Sequence, residues 1–145
     1  MPISPAKKLF EQFLSNLKAF SAQKGFDFDL KLIKRFLQLY CLHEHHRPHF
    51  LFIHESLNSF WEISSNWQDI THLIPSEKTD WAVVLLQKPS AQDNPLGFLI
   101  SSEDFMKMKS GFGINRMGRI RIHKKDLSLK TRFNSWDRFF QLLNL

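Results

Sequence analysis

Asp80-Trp81-Ala82-Val83-Val84-Leu85-Leu86 is the stretch that decides the fold. An unbroken apolar run with paired valines, bounded by Asp80 and by Gln87-Lys88-Pro89, reads as a strand buried on both faces. Such a strand lies inside a sheet, so both faces need cover. Working outward, Leu96 to Ile100 is the next strand. Phe50-Leu51-Phe52-Ile53 and Phe60-Trp61-Glu62-Ile63 read as a hairpin turning through Glu55 to Ser59. Met117 to His123 alternates strictly, with Ile120 and Ile122 on one side and Arg119, Arg121 and His123 on the other.

Helical spacing appears on either side of these strands. Leu9, Phe10, Phe13, Leu14, Leu17 and Phe20 predict a helix from Pro5 to about Ala22, ended by Gly25. Leu30, Ile33, Phe36, Leu37 and Tyr40 predict a second from Asp29 to Leu42, with Lys31, Lys34, Arg35 and Gln38 as its polar stripe. Ser65 and Gln68 form a capping box for a short helix to Leu73. Ser101 or Ser102 can cap another through Lys109, and Asn134 or Ser135 one that carries Trp136, Phe139, Phe140 and Leu143. The expectation is a single α+β domain, residues 1–145. It has a mixed, largely antiparallel sheet of about five strands packed against two N-terminal helices and a C-terminal helix.

Composition narrows the function. With one cysteine, Cys41, the chain makes no intramolecular disulfide and no zinc site of two or more cysteines. The first residues lack an apolar signal-peptide stretch and no run is long enough to span a bilayer, so the expected setting is cytoplasmic, away from membranes. The net charge of +6 is unevenly placed: +4 over residues 1–50, −4 over 51–100 and +6 over 101–145. Basic surfaces attract nucleic acid, acidic proteins or anionic lipid.

Three groups of residues bear on chemistry. Arg116, Arg119, Arg121, His123, Lys124 and Lys125 form the densest basic segment, and strand alternation presents several of them together to phosphates. Lys34 and Arg35 join them if the second helix packs beside that strand, and Phe112 could stack on a base. The same residues also suit a solvated edge strand. The second group is His43, His45, His46 and His49, with His54, Glu55 and Glu62 beyond; it carries metal-ligand types but no recognised ligand spacing. The third is Cys41 beside these histidines, which fits a small core residue better than a nucleophile. No glycine-rich phosphate loop or nucleophile elbow occurs, and no cofactor is indicated.

From Asp80 onward the chain resembles the C-terminal part of restriction-endonuclease-like proteins of the PD-(D/E)XK class. The resemblance is carried by Asp80 to Leu86, by Gly97-Phe98-Leu99-Ile100-Ser101-Ser102-Glu103-Asp104-Phe105, by Gly118 to Ile122 and by Ser135-Trp136-Asp137-Arg138-Phe139. It implies a DNA- or RNA-directed protein. The catalytic triplet of that class ends in lysine, whereas the best-placed triplet here is Glu62-Ile63-Ser64. The expected function is therefore a non-catalytic nucleic-acid-binding or accessory module using a basic C-terminal surface. Two alternatives stand beside it. One is a protein-interaction subunit whose 15 Phe and 4 Trp leave an exposed aromatic patch for a protein partner. The other is a metal-dependent hydrolase or nuclease using the His43 to His49 region.

Overall fold

The computed structural model describes residues 5–23, 25, 30–34, 39–44, 47–64, 80–89, 94–108, 113–114 and 119–143. The expected α+β class is what the chain adopts. Helix α1 (Pro5–Gln23) is followed by strands β1 (Leu30–Lys34), β2 (Leu39–Glu44), β3 (Arg47–Glu55), β4 (Phe60–Ser64), β5 (Asp80–Leu86) and β6 (Gly97–Ser101). Helix α2 (Ser102–Met108), strands β7 (Gly113–Ile114), β8 (Arg119–His123) and β9 (Arg132–Phe133), and helix α3 (Trp136–Leu142) complete it.

Six strands form one mixed sheet in the order β1-β2-β3-β5-β6-β9. Only β3 and β5 run parallel; the other pairings are antiparallel. As its composition predicts, β5 is interior, and Ala82 to Leu86 are all buried. One face carries Leu51, Ile53, Val84 and Leu99 and is covered by Leu9, Phe13 and Leu17 of α1 and by Trp136, Phe139 and Phe140 of α3. Ring contacts knit the helices together there: Phe13 stacks on Trp136 at 5.3 Å and meets Phe139 edge-on at 5.6 Å. The opposite face carries Phe50, Phe52, Val83, Leu85, Phe98 and Ile100. A second sheet of order β4-β8-β7 covers it with Trp61, Ile63, Ile120 and Ile122, and Phe105 of α2 fills the edge.

Two expectations are corrected. Residues 29–42 contain no helix as long as the spacing predicts; β1 and β2 stand in its place, with Leu30 opposite Leu42 and Leu32 opposite Tyr40. Cross-strand pairing with β3 extends the sheet here, and this non-local gain overrides helical spacing in a segment whose apolar residues also fit strand pairs. Neither does β4 pair with β3. Ser56 N donates to Leu86 O at 3.2 Å, and the buried Trp61 Nε1 donates to the same carbonyl at 2.9 Å. The chain is thereby pinned across the end of β5 and carried into the second layer. The helix expected over residues 65–73 lies outside the described residues.

The short helices follow their local signals. Ser101 Oγ accepts from Asp104 N at 3.2 Å at the start of α2, and Ser135 Oγ accepts from Arg138 N at 3.2 Å at the start of α3. Gly25 takes φ +77° just past α1, a conformation favoured by glycine.

Candidate functional site

Alternation in β8 delivers what the sequence predicts. Ile120 and Ile122 are buried, while Arg119, Arg121 and His123 face outward. In the ladder His123 stands opposite Phe60, Arg121 opposite Glu62 and Arg119 opposite Ser64. Because Trp61 and Ile63 point into the core, Phe60 and Glu62 share the outward side with the basic residues. Arg121 Nη2 donates to Glu62 Oε1 at 2.6 Å, and the guanidinium carbon lies 4.4 Å from the Phe60 ring centroid. The rings of Phe60 and His123 are 5.9 Å apart and tilted by 50°. A backbone bond from Lys124 N to Ser59 O, 2.8 Å, closes this end of the layer, and Lys124 and Lys125 are exposed in the 3₁₀ turn Lys124–Asp126.

The basic cluster is thus partly neutralised within itself. Arg119, Arg121, Lys124 and Lys125 stand against Glu62 and Asp126, so four cations and two carboxylates leave a charge of +2. Lys34 lies on β1, an edge strand of the larger sheet, and not on the expected second helix beside β8. Arg35, Arg116 and Phe112 lie outside the described residues. The sequence reading missed Phe60 and Glu62 as partners of the basic strand. Their alternation with Trp61 and Ile63 was visible, but not the sheet to which they belong.

Under this layer His54 is buried on the same face of β3 as Phe50 and Phe52. Its pKa is lowered to about 3, first because burial penalises the charged imidazole and second because of the Arg119 charge.

A different group of polar residues meets at the end of the large sheet where β3 and β5 begin and β6 ends. There a cleft of about 210 Å³ is lined by His49, Trp81, Ser101, Ser102 and Glu103, with Leu143 closing it. His49 is only 2% exposed. Glu103 is at the surface, where its Oε1 accepts from Lys107 Nζ at 3.3 Å. Asp80 is the ladder partner of His49. Sequence reasoning singled out His49 but not Ser101 or Glu103, which lie more than fifty residues away and meet it only through the sheet.

The described residues do not assemble a metal constellation of the kind the hydrolase alternative needs. Among the described residues no three or more His, Cys, Asp or Glu side chains converge on a metal position. His49 and Glu55 are six residues apart on one strand, or roughly 20 Å, and Glu62 is engaged by Arg121. His43 and Glu44 belong to β2, whereas His45 and His46 lie outside the described residues. The cleft offers one imidazole and one described carboxylate, fewer than the three protein ligands of a catalytic zinc. The aromatic-patch alternative also lacks support: among the described residues no Phe or Trp is exposed, and the exposed large apolar side chains are Leu57 and Leu129. No helix of the described residues is long and apolar enough to cross a membrane.

No protein-family model matches the chain, and no curated protein matches it. Among solved structures the chain is similar to D212, a nuclease from a fusselovirus, with a TM-score of 0.49 and 10% identity over 99% of this chain and 93% of that one. The expected non-catalytic accessory module is not what this comparison returns: D212 is described as a nuclease.

Proposed function

We propose that the chain is a nuclease, hydrolysing phosphodiester bonds of a DNA or RNA substrate. The observation that carries the reading is the strand-end cleft, which brings a sheltered imidazole, His49, together with Glu103 and the hydroxyls of Ser101 and Ser102. Hydrolysis adds water to phosphorus, breaks the bond to the leaving oxygen and passes a proton from the one to the other. Imidazole is the side chain most often used for such transfers. In this reading His49 takes the proton from water, Ser101 and Ser102 donate hydrogen bonds to phosphoryl oxygens, and Glu103 orients water at the cleft mouth. Arg119, Lys124 and Lys125, exposed on and beside β8, hold backbone phosphates. The kinship with restriction-endonuclease-like proteins belongs to the same proposal, and the activity named for D212 is proposed for this chain on the chemistry of its own cleft.

The test is cleavage of end-labelled single- and double-stranded DNA and RNA by the full chain, in chelator, magnesium or manganese. Cleavage is expected, falling on the order of 10²-fold or more in His49→Gln and in Glu103→Gln. Glu103 is exposed, so its variant keeps the fold, and a thermal melt verifies this for both. Absence of cleavage of all four substrates under all three conditions overturns the reading.

A further inference from the structure

We infer that the outward face of β4 and β8 is a stacking platform that selects unpaired nucleic-acid strands over duplex. The inference deepens the nuclease reading by naming its substrate class, and rests on that reading for the purpose of binding.

The argument starts from Arg121. Its terminal nitrogen is held by Glu62 at 2.6 Å and its guanidinium lies over the Phe60 ring at 4.4 Å. A guanidinium fixed at both its edge and one face is no longer a swinging phosphate clamp, and its charge is offset by Glu62. What it still offers is accessible surface beyond the buried Nε, since the side chain is 42% exposed. Guanidinium planes and aromatic rings are the surfaces on which unstacked bases settle. His123 extends the array beside Phe60, its ring 5.9 Å away and tilted by 50°. On the far side of Arg121 its ladder partner in β7 is Gly113, which carries no side chain to overhang it.

Charge completes the match. Exposed cations flank the platform, Arg119 at one end of β8 and Lys124 and Lys125 at the other. Outward residues on a strand recur about every 6.7 Å, so Arg119 and His123 are roughly 13 Å apart, the scale of a few nucleotides. A duplex hides the faces of its bases in the stack and can use only the cations. An unpaired strand can use the cations and the plane together. An acidic peptide satisfies the charge but leaves the stacking plane unused.

The experiment is fluorescence anisotropy of the full chain with a labelled single-stranded oligonucleotide, a hairpin duplex of equal length and a polyglutamate peptide. It is run in chelator, with the oligonucleotides confirmed intact on a gel, so that failure of cleavage and failure of binding are separate results. The expected outcome is single-strand binding at least tenfold tighter than duplex. Phe60→Leu keeps an apolar side chain against the layer and removes the ring; with Arg121→Leu it is expected to weaken single-strand binding by about 5- to 150-fold. Duplex affinity should stay within twofold. Lys124→Ala with Lys125→Ala should weaken both nucleic acids alike. Equal affinity for strand and duplex, single-strand binding unchanged in both Phe60→Leu and Arg121→Leu, or polyglutamate binding as tight as the strand, each overturns the inference.

Discussion

His54 shows how much one side chain can bind the fold to pH. In the unfolded chain it takes up a proton near pH 6.5, whereas in the folded protein burial and the Arg119 charge lower its pKa to about 3. Between those values the unfolded state holds more protons, so acid favours unfolding. Stability from keeping His54 neutral is complete above about pH 6.5 and is lost progressively as the pH falls toward 3. Urea denaturation at pH 7.5, 6, 5 and 4 should show this decline, and His54→Leu should flatten it. An equal decline in the variant would mean that other groups carry the acid sensitivity. Sequence shows a histidine beside Ile53; that it stays neutral down to about pH 3 follows only from the layer above it.

At the scale of elements, β6 is tightly confined at Gly97. Gly97 lies between Leu86 of β5 and Phe133 of β9 in the ladder. A Cβ there would run into the Leu85 carbonyl oxygen and come within 3.1 Å of the Phe133 ring. Backbone cannot yield as a flexible side chain can, so Gly97→Ala should cost about 1–3 kcal/mol, the usual range for overpacking. Its thermal midpoint should fall by several degrees, and an unchanged midpoint would show that β6 can shift aside. Elsewhere the legibility of elements follows their contacts. The helices α1 and α3 and the strands β5 and β8 carry their period and caps within themselves, and each was predictable. The sequence from 29 to 42 satisfies two periods at once, and only pairing in the sheet resolves Leu30–Lys34 and Leu39–Glu44 as strands. Phe60 to Ile63 read correctly as a strand, but its partner is β8, some sixty residues onward.

For the whole molecule the design is a six-stranded sheet covered by helices on one face and by a smaller sheet on the other. This arrangement turns the charge of the last 45 residues into a surface feature, because β8 must put its isoleucines inward and its basic residues outward. If Arg119, Lys124 and Lys125 contact phosphates, three phosphates are neutralised on binding a single strand. The logarithm of affinity should then fall against the logarithm of salt with a slope of about −2. Lys124→Glu with Lys125→Glu should reduce that slope by more than one. A slope near zero would show that the basic face does not touch the backbone.

By itself the sequence determined the α+β class, the interior strand at Trp81 to Leu86, the aromatic core of α1 and α3, and the placing of Arg119, Arg121 and His123 on one side of a strand. These follow from periodicity and capping, which act within a few residues. The tertiary structure decided that Leu30–Lys34 and Leu39–Glu44 join the sheet, that β4 leaves it for a second layer, that Glu62 and Phe60 fix Arg121, and that His49 and Glu103 line one cleft with Ser101. Those outcomes depend on which distant strands pair and which faces they bury. That competition is settled by hydrophobic burial and hydrogen bonding over the whole chain, and no local pattern records it.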